Sequence, residues 1–290
     1  MEWPTLALIA GNYSLWGIAL LANEMMPTIS VVLMCFVLTI QSSIVHELIH
    51  GHPTRNNTLN LCLGIVPLTL WYPIHLFKET HLKHHENMNL TIPNIDPESY
   101  FHHPVSWQEK TEIGKLYAFA NMTLIGRLLF AVPSTLFGVL QQAAIDLRSG
   151  TKIQRIHWLV HFSLVLLLFA FIVKLESMSL IVYITCAAIA HSIISLRSFF
   201  EHRPALDPMH RSVIVKSNFV FQLLFLNNNF HAVHHRHPGL PWYRLSNLYE
   251  ATKHNVLKNN QQFYFSGYSK WLRFLFSPIH PPVHPGPLDR

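Results

Sequence analysis

The chain has 290 residues, half of them hydrophobic and only 12% charged, against about 25% charged in soluble domains, and its mean hydropathy is positive, which points to a bilayer. A net charge of +6 without a basic patch or a nucleic-acid-binding motif fits loops lying against anionic headgroups and excludes nucleic acid as a partner. Cys35, Cys62 and Cys186 are scattered through apolar stretches with no CxxC spacing, which excludes a disulfide framework and a thiolate metal site.

Leu6 to Ala22 is an apolar run with no basic segment before it and no small-residue cleavage site after it, so it reads as a retained helix rather than a signal peptide. With Thr28 to Ile49, across the turn Asn23-Glu24-Met25-Met26-Pro27, it predicts a transmembrane hairpin whose open end carries His46 and His50. Leu59 to Phe77 is interrupted by Pro67 and Pro73, and Leu116 to Leu147 contains Arg127 and Pro133. Both are expected to be re-entrant or interfacial, because broken helices at membrane depth are tolerated where protein buries them. Ile156 to Leu175 and Met178 to Arg197 predict a second hairpin, whereas Asn218 to Leu226 is too short to span. With both hairpins open to one side, that side receives Arg55, Lys78, Lys83, Arg148, Lys152, Arg155, Arg203, Arg211 and Lys216, and the far turns only Lys174. The positive-inside rule makes the basic side cytoplasmic. The expected architecture is an all-α integral membrane protein with about four transmembrane helices, re-entrant or interfacial helices and a cytoplasmic helical cap. One domain covers residues 1–276, and a proline-rich, extended tail covers 277–290.

The chain holds 21 histidines, as many as lysine and arginine together, and their spacing carries the chemistry. His46-Glu-Leu-Ile-His50 puts two imidazoles at i, i+4 on one helical face, a chelating pair. His81-Leu-Lys-His84-His85 combines i, i+3 and i+4, and His231-Ala-Val-His234-His235 repeats that geometry. A lone histidine on an apolar face is usually a satisfied core residue, but three boxes of one geometry point to metal. Their eight imidazoles are too many for one tetrahedral zinc and suit two metals of higher coordination. Imidazole serves zinc, copper and iron alike, so spacing alone leaves the metal open.

Separated as they are by membrane hairpins, these boxes resemble the three histidine boxes of the membrane fatty acid desaturase and hydroxylase superfamily, over a stretch from His46 to roughly Leu248. His-Glu-Leu-Ile-His-Gly-His-Pro at 46 to 53, Asp96-Pro97-Glu98-Ser99, Arg197-Ser-Phe-Phe-Glu-His-Arg203 and Asn229 to Pro238 are similar to bacterial fatty acid desaturase-like members. The resemblance implies two iron ions cycling between Fe2+ and Fe3+, O2 as co-substrate and a lipid or fatty acyl substrate. It also implies a ninth ligand, because acyl-CoA desaturases bind metal through a histidine after the last transmembrane helix, the place His202 occupies here. Those relatives carry an asparagine one turn earlier to hold a metal-bound water, where this chain has Ser198. Carotenoid and alkane hydroxylases and ketolases share the superfamily, but the Gly51-His52-Pro53 continuation and the 197–203 segment look more like desaturases. His-Glu-x-x-His is also the zinc protease signature, which would make Glu47 a general base, yet that reading leaves both later boxes unexplained. The chain shows no dinucleotide fingerprint, no cysteine cluster for an iron–sulfur centre and no fused cytochrome domain, so electrons are expected from an external donor of the ferredoxin or cytochrome b5 type.

Several polar residues surround the boxes. His52 follows the first box too closely to share its face, which favours a supporting over a ligating role. His191 lies 11 residues before His202, about 16 Å deeper along the same helix, where it would line a substrate tunnel or bond between helices. Glu47, Asp96, Glu201 and Asn229 are candidates to hold the second ring nitrogen of ligand imidazoles, as metal-bound histidines require. His75, His102, His103, His157, His161, His210, His237, His254, His280 and His284 fit no box and are expected at the surface or interface.

Overall fold

The computed structural model describes residues 1–86 and 88–286. In chain order their helices are α1 (Trp3–Ala22), α2 (Pro27–Ile49), α3 (Asn57–Leu63), α4 (Ile74–His84), α5 (Pro104–Gln108), α6 (Glu112–Asn121), α7 (Leu124–Ser149), α8 (Lys152–Leu175), α9 (Leu180–Glu201), α10 (Phe219–Leu224), α11 (His231–Arg236) and α12 (Trp242–Asn259). Two short strands, β1 (Ile214–Val215) and β2 (Tyr264–Phe265), pair in parallel. The fold is thus mostly helical. The chain divides into two compact units, residues 1–78 with 131–194, and residues 79–130 with 195–290.

The first unit is built on apolar helices. Pro27 opens α2, where its missing N–H costs nothing, and a capping box of Thr151 and Gln154 opens α8. Ala19, Leu20, Met34, Leu38, Leu168, Ile172, Tyr183 and Ala187 form its buried core. Asn12 on α1 donates to Gln41 on α2 at 2.9 Å, both side chains buried. Between α3 and α4 the backbone breaks at the Pro67 and Pro73 segment, as the prolines predict. Its freed carbonyls find side-chain donors: Tyr13 to Leu63 O at 3.0 Å, Tyr183 to Leu68 O at 2.7 Å and His161 to Leu70 O at 3.2 Å. An unbonded carbonyl in apolar surroundings costs several kcal/mol, which explains why His161 is buried rather than at the surface or interface, as its isolation from the boxes suggested.

Among the described residues five helices, α1, α2, α7, α8 and α9, are long and apolar enough to cross a membrane, where about four were expected to span. The addition is α7. The run from 116 to 147 divides after Asn121, and from Leu124 it continues as one 26-residue helix with Pro133 inside it. Phe137, Leu140, Leu166, Leu167 and Ile181 are exposed on these helices, an apolar surface suited to hydrocarbon rather than water.

The second unit packs Ile214, Phe230, Val233, Leu245, Tyr249 and Val256 into its own core. Arg211 cross-links it, donating to the carbonyls of Met88, Leu90, Ala205 and Leu206. The described part of the proline-rich tail, residues 277–286, contains no helix, yet it docks. Val283 bridges to His102, and His284, expected at the surface or interface, is buried, with Thr91 offering its Nε2 a partner at 3.2 Å.

Burial, with Arg211 alongside, pushes the His284 imidazole down to about 4, whereas an undocked histidine titrates near ~6.5. The undocked tail therefore takes up the proton first. Docking is at full strength above pH ~6.5 and is lost as pH falls towards the folded value. Amide exchange over residues 282–286, corrected for its intrinsic pH dependence, should quicken between about pH 7 and about pH 5; unchanged protection would mean that His284 does not hold the tail.

Candidate metal centre

The second unit collects seven box and near-box histidines from three places in the chain. His81 and His84 occupy the last turn of α4, and His85 follows it. His202 comes directly after α9, held by an antiparallel bridge to Ser212. His231, His234 and His235 sit on α11, whose start is fixed by β1: Ala232 N–H donates to Val213 O and Val215 N–H to Asn229 O. Leu226 and Asn227 turn the chain into α11 with φ of +46° and +57°, the left-handed region that asparagine tolerates well.

The imidazoles converge through Nε2. His84 and His202 stand 3.1 Å apart, His202 and His231 3.0 Å, and His231 and His235 3.1 Å, all measured between Nε2 atoms. These four side chains are buried and form one group. His81 and His85 approach through Nε2 at 3.1 Å, and His85 and His234 at 3.2 Å. The two sets adjoin, since the rings of His85 and His235 stack at 4.2 Å.

Oxygen acceptors stand behind the rings. His84 Nδ1–H donates to Asp96 at 2.9 Å, and His81 Nδ1–H donates to Glu98 at 2.9 Å. His231 Nδ1–H has Asn228 Oδ1 at 3.0 Å and Glu201 Oε1 at 3.3 Å, the latter also 2.7 Å from Arg197. With the proton on Nδ1, each Nε2 presents a lone pair to the others. Lone pairs about 3 Å apart repel unless a cation lies between them, so the donor set fits metal ions and has the wrong polarity for a hydrogen-bonded core.

For three of the four buried imidazoles the electrostatics agree with that fit. Burial pushes His202, His231 and His235 well below the usual histidine range, keeping them neutral as ligation requires. For Glu98, burial acts to raise the carboxyl, but His81 and His84 outweigh it and hold the group below the ordinary carboxylate range. For His84, burial acts to lower the imidazole, and Glu98 and Asp96 together outweigh it and raise it.

The acceptors rest on a strained loop. Thr91, at φ +66°, lies where an L-residue costs roughly 1–2 kcal/mol, and its N–H donates to Asp96 Oδ2 at 2.8 Å. A hydrogen bond to a charged group contributes roughly 1.5–3 kcal/mol, enough to offset the strain. Glu98 N–H donates to Asp96 Oδ1 at 2.9 Å, so Asp96 receives three donors.

The first box lies in the other unit. His46 and His50 share a face near the end of α2, ring centroids 4.7 Å apart, with Glu47 Oε1 3.9 Å from His46 Nδ1. His52 is buried with Nδ1 2.8 Å from Glu2. His191 Nε2 lies 2.8 Å from Thr135 Oγ1 and its ring 5.5 Å from Trp71, an interhelical bond between α7 and α9. Ser198 donates to Ser195 O in its own helix at 3.0 Å.

Asn229 donates its side-chain N–H to Val215 O at 2.8 Å, and the amide oxygen behind His231 is that of Asn228. Glu98 and Asn228 are acceptors that sequence reasoning missed. Glu98 stands in the acidic segment beside Asp96 and could have been read there. Asn228 lies within a run of three asparagines, where composition offers no means of choosing.

A family model described as fatty acid desaturase matches residues 24–268. A search of curated proteins finds no match.

Asp96→Asn keeps the shape of the acceptor but replaces one oxygen with an NH2, so one of its three donors loses a partner. Metal affinity is expected to fall about 10–100-fold, with helix content unchanged. Competition against a chelator, alongside circular dichroism, measures both; wild-type affinity would show that Asp96 does not orient His84.

Proposed function

The chain belongs to the fatty acid desaturase family, and from that membership we propose that it is a membrane-bound di-iron, O2-dependent oxidoreductase that introduces a double bond into a fatty acyl chain of a lipid. The observation that carries the reading is the convergence of seven imidazoles through Nε2. An all-nitrogen set of this size exceeds the needs of one tetrahedral ion.

The proposed ligands are His81, His84, His85, His202, His231, His234 and His235, joined on the grounds of box spacing by His46 and His50. When bound, iron supplies the activation of O2 that removing hydrogen from an unactivated methylene demands. The chain's own residues do the rest. Asp96, Glu98, Asn228 and Glu201 hold the Nδ1 protons and so aim the Nε2 lone pairs. Burial of His84, His202, His231 and His235 keeps bulk water from the centre. The reaction asks for no protein nucleophile and no general base, so Glu47 is a supporting residue in this reading. Ser198 spends its hydroxyl proton on Ser195 O within its own helix, so towards a metal-bound water it can only accept. Electrons come from an external donor of the ferredoxin or cytochrome b5 type, reaching a centre on the cytoplasmic, basic side of the membrane.

Desaturation is favoured over hydroxylation by the Gly51-His52-Pro53 continuation and the segment from Arg197 to Arg203. Lipid profiling of a host expressing the chain should show new unsaturated acyl chains, absent with His231→Ala; hydroxylated lipid in their place would make it a hydroxylase. Purified protein is expected to carry two irons, and one equivalent of zinc with iron absent after growth in iron-rich medium would sink the di-iron reading. His85→Ala, His202→Ala and His235→Ala should each lose iron and oxidation while remaining folded in detergent. His191→Ala should keep iron while losing stability by about 1 kcal/mol, the scale of an interhelical bond in a membrane. Exposed His254 is the silent control.

A further inference from the structure

The C-terminal tail reaches the metal centre through a run of buried contacts. Residues 282–284 lie beside His102, whose N–H donates to Pro282 O at 2.8 Å and whose carbonyl accepts His284 N–H at 3.0 Å. His284 is 2% exposed. Its Nδ1 accepts the Gly286 N–H at 3.2 Å, which places the ring proton on Nε2. Nε2–H then donates to Thr91 Oγ1 at 3.2 Å. Thr91 N–H donates to Asp96, and Asp96 takes the Nδ1–H of His84. Thr91, Asp96 and His84 are all buried, so water does not replace any link.

Thr91 is the weak point of the run, because a β-branched residue at φ +66° has little tendency to stay there unaided. The loop is gripped from two directions. Arg211 holds the carbonyl of the preceding residue, Leu90, and His284 holds the Thr91 hydroxyl. We infer that His284 is a positioning residue for the metal centre: by holding Thr91 it fixes Asp96 and, through Asp96, the aim of the His84 lone pair. The inference rests on the reading of the histidine cluster as a metal centre, and it gives the tail a part in the site, not in the fold alone.

The test uses the full-length, iron-loaded protein in detergent and follows iron release to a chelator, with the Mössbauer spectrum of the bound iron as a second readout. His284→Leu fills the space without a donor, whereas His284→Gln keeps an N–H near the position of Nε2. His284→Leu should release iron about 10-fold faster or more, the scale of losing a ligand's supporting bond, and His284→Gln should stay within about twofold of wild type. Removing the hydroxyl by Thr91→Val should match His284→Leu, and the double variant should be no faster than either. If His284→Leu does not fold, Thr91→Val against Thr91→Ser makes the same comparison. The inference is overturned if the Leu and Gln variants release iron alike, or if the double variant shows two independent losses. Tight iron in the wild type with an indifferent His284→Leu overturns this inference alone; a wild-type chain that takes up no metal overturns the metal-centre reading and this inference with it.

Discussion

An imidazole can offer a lone pair at Nε2 only if its proton sits on Nδ1, and in a buried site that proton needs an acceptor. Much of the second unit follows from this requirement. Asp96 and Glu98 serve α4, and Asn228 and Glu201 serve α11. The loop bearing Asp96 and Glu98 has no regular structure of its own, so it is held by what lies around it: Arg211 on its carbonyls, Thr91 at a positive φ, and the tail against Thr91. Each is a device for keeping an acceptor in place behind a ring.

The first unit answers the same kind of demand with different chemistry. A chain interrupted by Pro67 and Pro73 leaves carbonyls without helical partners, and in apolar surroundings each would cost several kcal/mol. Tyr13, His161 and Tyr183, from three other helices, supply the donors. The break is therefore stable only as part of the assembled unit. His191 and Thr135 make a similar bond between helices, which accounts for a histidine far from the boxes without giving it a part in the chemistry.

Function follows from combining the two. Apolar helices with outward-facing phenylalanine and leucine suit a lipid environment, and the family membership supplies oxidation of lipid chains as the general task. The convergent imidazoles give that task a place. Carboxylates behind them bring negative charge close to the ions the proposal requires, which favours retention of a cation that changes oxidation state.

What the sequence determined by itself is local and periodic. Side chains at i, i+3 and i+4 share a helical face whatever the rest of the fold does, so the three boxes were legible as chelating sets. Apolar runs of spanning length and prolines that break them were legible for the same reason. Only the tertiary structure decided which groups stand behind the rings. Glu98 and Asn228 reach their histidines through loops whose course depends on contacts distant in the chain, and Asn229, next to Asn228, is turned to β1 instead. His161 and His284 looked like spare surface histidines because their partners, Leu70 O and Thr91, lie 91 and 193 residues away. A hydrogen bond is made by proximity in space, and no periodicity along the chain records it.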